Sequence, residues 1–228
     1  MSADELLERP PWSALTTTQA GFALGNDLAR RYPPDIAPMA AIREISQASL
    51  QALTALMKPG DVVGLFSAKP VSDGRELAVI NRKDVEQMVY GGSTPEPAGC
   101  HHVTLTADDV PEMMRLAELA KPGPFGVRTI ALGCYIGLRR DGQLVAMAGE
   151  RMRFDGFTEI SAVCTHPGHR RRGYSSLLVG ALTRNILQRG ETPFLHIYRD
   201  NTGAANLYRQ LGFMHRRSIA VTVLKRPA

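Results

Sequence analysis

The spacing of apolar positions along the chain changes period several times, and each change predicts an element. Over residues 36–58, Ile42, Ile45, Leu50, Leu53, Leu56 and Met57 recur at helical spacing and Pro59-Gly60 supplies a stop, which predicts one helix. Residues 61–67 read as a strand, 76–80 as a second short apolar run and 81–90 as a helix. Residues 91–99, dominated by Gly, Pro, Ser and Thr, read as a linker, so the chain divides into an N-terminal α/β half, 1–97, and a second domain, 98–228.

Beyond the linker the pattern is more regular. Residues 103–105 predict a short strand, and Thr106 with Asp109 has the spacing of a capping box. The helix it opens carries Val110, Met113, Met114, Leu116, Leu119 and Ala120, and Lys121-Pro122-Gly123-Pro124 ends it. Residues 132–138, 144–153 and 157–165 form apolar runs separated by Asp141-Gly142 and Asp155-Gly156, the dipeptides favoured at tight reversals, so three consecutive antiparallel strands are expected. A helix over 174–188 follows, then a strand over 194–198, a short helix over 202–211 closed by Gly212, and a strand over 219–224 rich in β-branched residues. The class is α/β: a central mixed, mostly antiparallel sheet flanked by helices, with a smaller α/β half before it.

Composition narrows the classes of function. With 228 residues, 44% hydrophobic and 21% charged, the chain matches an ordinary globular protein, and no run approaches the roughly 20 apolar residues of a membrane span. The first residues, MSADELLERPPW, lack the basic-then-apolar order of a secretory leader, so a cytoplasmic location is expected. Cys100, Cys134 and Cys164 are widely separated and odd in number, which predicts reduced thiols, and His101-His102 has no partner at ligand spacing, so no metal is expected. The net charge of +5 suits an anionic partner, and much of it is concentrated in Arg170-Arg171-Arg172.

Those arginines belong to the most informative stretch, residues 163–176, where a strand runs through a basic, Gly-containing loop into a helix. Unpaired N–H groups and the positive end of the dipole at a helix start attract phosphate, and Gly173 lets the backbone come close. Arg170-x-x-Gly173-x-Ser175 resembles the (Gln/Arg)-x-x-Gly-x-(Gly/Ala) signature of the GNAT acetyltransferases, with Ser175 standing where the family has Gly or Ala. A second segment, from Asn201 through Ala204, Leu207 and Tyr208 to Gly212-Phe213, is similar to the family's Asn-x-x-Ala-x-x-Leu-Tyr-x-x-x-Gly-Phe. The two motifs stand in the family's order with one strand between them. The chain also resembles the two-part subgroup similar to glycine N-acyltransferase, in which a degenerate half precedes the active one.

The resemblance implies an N-acetyltransferase that uses acetyl-coenzyme A and no metal. It places the pantetheine arm along Val163, Cys164 and Thr165, the pyrophosphate on Arg170, Arg171, Arg172, Gly173, Tyr174, Ser175 and Ser176, and a further contact to the arm on Asn201. Tyr208 matches the tyrosine that protonates the departing thiolate. The acceptor amine arrives as ammonium and must lose a proton. Glu159, in a segment resembling the one where histone-acetylating members carry their base, is the first candidate for that step; Glu150 is the second, and a water chain is the third. Cys164 and the isolated His166 and His196 read as structural. The acceptor is a small-molecule or peptide amine, with no nucleic acid and no membrane as partner. The first half is expected to pack against the acceptor site or a second copy of the chain as a homodimer. The alternatives are a silent acetyl-coenzyme A sensor, separated by turnover, and a nucleic-acid module, which would need exposed aromatics that a content of 6% does not readily supply.

Overall fold

The computed structural model describes residues 3–67, 69–72, 76–95 and 102–228. In chain order the elements are α1 (Ala3–Glu8), α2 (Pro10–Thr16), β1 (Leu24–Gly25), β2 (Ala29–Arg31), β3 (Met39–Ile42), α3 (Gln47–Ala55), β4 (Val62–Ser67), β5 (Ala78–Tyr90), β6 (Val103–Thr104), α4 (Val110–Ala120), β7 (Tyr135–Arg140), β8 (Gln143–Phe154), β9 (Phe157–Thr165), α5 (Tyr174–Gln188), β10 (Thr192–Tyr198), α6 (Thr202–Gln210) and β11 (Phe213–Lys225).

The hairpin chemistry behaves as its dipeptides predict. Asp141 and Gly142, both at positive φ (51° and 78°), turn β7 into β8, and Gly156 (φ 77°) turns β8 into β9. The side-chain carboxylate of Asp109 accepts from the Thr106 N–H (2.8 Å), completing the capping box ahead of α4.

Two expectations fail in the first half. Residues 36–58 do not form one helix: Met39–Ile42 is strand, buried along its whole length, and α3 begins only after Ser46, whose hydroxyl accepts the Ser49 N–H (3.2 Å). The spacing of apolar residues is helical only because a strand buried on both faces reads as a continuous apolar run. Residues 81–90 are not a helix either but most of β5, which lies between β10 and β11 and pairs with both. Arg, Lys, Asp, Glu and Gln at 82–87 do not disclose that placement, because pairing on both sides overrides local preference.

Among the described residues the strands form one sheet in the order β1-β2-β3-β4-β11-β5-β10-β9-β8-β7-β6. The expected boundary at 97/98 lies outside the described residues, but the sheet does not divide there. β11 pairs with β4 along Val62–Ser67 and with β5 from Ala78 to Tyr90, so strands from before and after the linker interleave. Most neighbours are antiparallel; β3 with β4 and β9 with β10 are parallel.

Helix α5 buries Leu178, Val179, Leu182 and Ile186 on the sheet face that carries Ala146, Ala148, Ile160 and Leu195. The opposite face, with Phe154 and Phe194, is covered by Leu6, Leu7, Leu15, Tyr32 and Ile36 from the start of the chain. Each fully buried Leu or Phe there contributes about 1.5–3 kcal/mol, so residues 3–39 form part of the core rather than an appendage. No helix among the described residues is long and apolar enough to cross a membrane.

Candidate active site

The site begins where two parallel strands part. β9 and β10 pair at Phe157–Thr192, Thr158–Pro193 and Glu159–Phe194, and beyond that rung β9 keeps only β8 as partner and β10 only β5. At the fork β9 carries a bulge: Ser161 pairs with Gly149 and Cys164 with Met147, leaving Ala162 and Val163 without a rung. Ala162 takes φ 52°, a left-handed conformation costly for any residue with a Cβ, and it turns main-chain groups of β9 out of the ladder.

β9 then enters the basic loop. His166 closes the first turn, its Nδ1 accepting the Gly168 N–H (3.1 Å), so this histidine has a structural task. Arg171 (φ 61°) and Gly173 (φ 75°) turn the chain into α5, and Gly173 at the N-cap supplies no side chain to the first amides of the helix. The Thr165 and Ser175 hydroxyls lie 3.2 Å apart and tie the end of the strand to the first turn of the helix. Arg170, Arg171 and Arg172 are exposed, while the Arg140 guanidinium donates to the Tyr174 hydroxyl (3.1 Å). An arrangement of this kind has the charge and the free amides that suit a phosphate.

Two adjoining cavities that share lining residues lie at the fork. The smaller, about 280 Å³, is lined by Val163, Cys164, Thr165, Arg170, Ser175, Asn201 and Tyr208 with parts of α6, so the sequence-selected residues from both motifs meet here. Arg171, Arg172, Gly173, Tyr174 and Ser176 continue along the loop and first turn beside it. The larger, about 410 Å³, is walled by β3, β4, β5 and β11 on one side and by β9, β10, α6 and residues 120–124 on the other. Val163, Asn201, Ala204 and Tyr208 line both. Asn201 caps α6, its Oδ1 accepting the Ala204 N–H (3.1 Å). Burial pushes the Tyr208 phenol up to about 12, with the nearby Cys164 adding to the shift, so the hydroxyl at the junction of the two cavities stays protonated. Burial likewise drives the Cys164 thiol up to about 12, which fits a core thiol and not a nucleophile.

Glu159 is not placed as a base with a raised pKa. It lines neither cavity; its carboxylate is fully buried and accepts two hydrogen bonds from Arg151, Nε to Oε2 (2.8 Å) and Nη2 to Oε1 (2.6 Å). Burial pushes the carboxyl up, but the charge and hydrogen bonds of Arg151, with help from His196, outweigh it and hold the group at about 2. His196 lies 2.8 Å from Glu159 Oε1 through Nδ1, and its Nε2 is 3.2 Å from Gln87 Nε2. The Gln87 amide is fixed because its nitrogen donates to Leu7 O (2.9 Å) and its oxygen accepts from Arg216 (2.9 Å), which sets the imidazole proton on Nδ1. Glu150, the second candidate, is buried and bound to Arg189 (2.9 Å), away from both cavities.

The residues that sequence reasoning missed are those of the larger cavity: Arg151, Lys83 and the apolar residues of β3, β4 and β5. One signal was available for Arg151. A hairpin centred on Asp155-Gly156 brings 151 and 159 to the same stretch of the β8–β9 ladder, where β8 carries two residues, Arg151 and Met152, opposite Glu159 alone. Cys100 and His101 lie outside the described residues; among the described residues no group of His, Cys, Asp and Glu is arranged to hold a metal ion.

Comparison with known proteins adds to this geometry. The family model described as FR47-like protein matches residues 135–221. The chain is 35% identical to a GNAT-family protein of solved structure from Novosphingobium aromaticivorans, assigned as an acetyltransferase; the match covers 97% of this chain and 99% of that one with a TM-score of 0.91. A GCN5-related N-acetyltransferase from Kribbella flavida shares the fold at 18% identity (99% and 96% covered, TM-score 0.63), as does one from Sphaerobacter thermophilus at 15% (90% and 76%, TM-score 0.53). No curated protein matches the sequence.

Proposed function

The chain belongs to the GNAT family, and on that premise we propose that it transfers an acetyl group from acetyl-coenzyme A to a primary amine by direct attack within a ternary complex. The observation that carries the reading is Tyr208, a protonated phenol at the junction of a cavity that leads to an anion-binding helix start and a second one large enough for an acceptor. The residues present fit the cosubstrate. The uncapped start of α5 with Arg170, Arg171 and Arg172 suits its phosphates, and the unpaired segment Ala162–Val163, continued by Cys164 and Thr165, suits the amide groups of its arm. The walls supplied by β3, β4 and β5 give residues from before the linker a share in shaping the acceptor side.

In the reaction the neutral amine nitrogen attacks the thioester carbonyl, the C–N bond forms, and the C–S bond breaks as Tyr208 gives its proton to the leaving sulfur; the proton that the nitrogen sheds as the amide forms restores the Tyr208 phenol. Main-chain N–H groups of the β9 bulge assist the carbonyl oxygen as charge develops on it. The ammonium proton leaves to water. Lys83, Lys121 and Arg151 line the larger cavity, and an ammonium among cations is more acidic than one in bulk solvent. Glu159 acts by holding Arg151 and His196 in position.

The test is isothermal titration with acetyl-coenzyme A, followed by thiol-release assays over an amine panel. Binding weakened about tenfold or more in an Arg171→Glu/Arg172→Glu variant, together with amine-dependent thiol release by the wild type, is the expected result. A folded wild type that fails to bind at about millimolar cosubstrate overturns it.

A further inference from the structure

Among the described residues, the charged side chains lining the larger cavity are all cationic: Lys83, Lys121 and Arg151, with no Asp or Glu. The acids near its mouth are otherwise placed. Asp84 pairs with Arg199 (3.6 Å), while Asp200 and Glu118 line neighbouring surface depressions and not this cavity.

The three cations differ in how far they are committed. Arg151 offers Nε and Nη2 to Glu159, and its Nη1 has no hydrogen-bond partner among the described residues although the side chain is only 12% exposed. Arg151 lines the cavity, and a guanidinium fixed by an ion pair with one nitrogen left without an acceptor is a donor waiting for one. The Lys83 ammonium sits 4.6 Å from the centroid of the Tyr198 ring, which holds it at the rim without neutralising it. Lys121, at φ 51° beyond α4, stands exposed at the rim beside it. The other walls are largely apolar, with Met39, Phe66, Val85, Ile160, Val221 and Val223 among them.

From this pairing of cations with apolar walls we infer that the acceptor is a small amine carrying both a carboxylate and an apolar body, as an apolar α-amino acid does. The inference rests on the acetyl-transfer reading above and names its substrate class. The carboxylate accepts from Arg151 Nη1 and lies within the field of Lys83 and Lys121, the apolar body packs on β3, β4 and β11, and the amine is left toward Tyr208. Polycationic acceptors such as polyamines and aminoglycosides meet like charge on the same surface and are disfavoured.

The experiment measures thiol release from acetyl-coenzyme A with leucine, methionine and phenylalanine, each against its decarboxylated amine, and with spermidine. The carboxylate-bearing member of each pair is expected to have a kcat/KM about tenfold or more higher. Lys83→Met is expected to lower the ratio of kcat/KM for each amino acid over its decarboxylated amine several-fold, whatever it does to both through the acidity of the ammonium. Lys83 is exposed, so this variant folds, and Lys121→Met provides an independent second removal of charge. Equal or better turnover of the decarboxylated amines or spermidine, or a Lys83→Met effect equal on both members of a pair, overturns the substrate class while leaving acetyl transfer intact. Bound cosubstrate with no thiol release from any amine overturns both.

Discussion

The two cavities that meet at Tyr208 are built differently. The smaller takes nearly all its lining from two short stretches, 163–175 and 201–208, and its geometry follows from a bulge, a turn and two helix starts, each set by residues close in sequence. The larger takes its lining from four strands on one side and from β9, β10, α6 and 120–124 on the other, including β3 and β4 from before the linker. On the proposed reading the smaller holds the cosubstrate, which is common to a whole family, so its site can be written locally. On the same reading the larger takes the acceptor, which differs between members, and long-range strand pairing assembles its walls, so it can change without disturbing the first. That division of labour assigns each cavity its own kind of fragility.

The largest effect is expected at the assembled wall. Glu159→Gln leaves the Arg151 guanidinium buried without its counter-ion, which costs about 3–5 kcal/mol of stability. Because the native carboxyl lies at about 2, below its ordinary 4.5, the wild type holds this stabilisation above about pH 4.5 and loses it as pH falls toward 2. Urea unfolding across that range reads the slope, and the variant should show a shallower one, with the remainder coming from Asp61, Glu86, Asp109 and Glu191, whose partners also hold them below their ordinary values. Unchanged stability in Glu159→Gln would show that the ion pair does not hold this wall. At the junction, Tyr208→Phe should lower kcat roughly 100-fold or more while acetyl-coenzyme A affinity, read by titration, changes little. An equal loss of affinity would move Tyr208 from the chemistry to the lining of the smaller cavity. The smallest effect is a local one: Thr106→Ala removes one half of the capping box ahead of α4 and should cost about 1 kcal/mol, read as a small fall in the urea midpoint.

The same contrast explains what could be read in the residues alone. The β7-β8-β9 meander, α4, α5, α6 and the turn of the basic loop into α5 were legible because dipeptide turns, a capping box and helical periodicity are local signals. Residues 81–90 were not, since their strand conformation is imposed by β10 and β11, and Gln87 is fully buried between them with its amide satisfied by Leu7 and Arg216. Residues 36–42 misled because a run buried on both faces carries no period. That Tyr208, Asn201 and the loop meet at one cavity was legible from their motifs. The environment of Glu159 was not, because its protonation depends on Arg151 and on a histidine 37 positions away.

The position of β11 bears on how the chain is made. It is the last strand in chain order, yet it is the partner of both β4 and β5 near the middle of the sheet. During synthesis β4 and β5 therefore emerge with hydrogen-bonding edges that nothing already translated can satisfy, and they stay open until residues 213–225 clear the ribosome. The wall of the larger cavity closes last, after the loop and helix beside the smaller one are complete, which makes the nascent chain most vulnerable to edge-to-edge association in the interval before β11 docks.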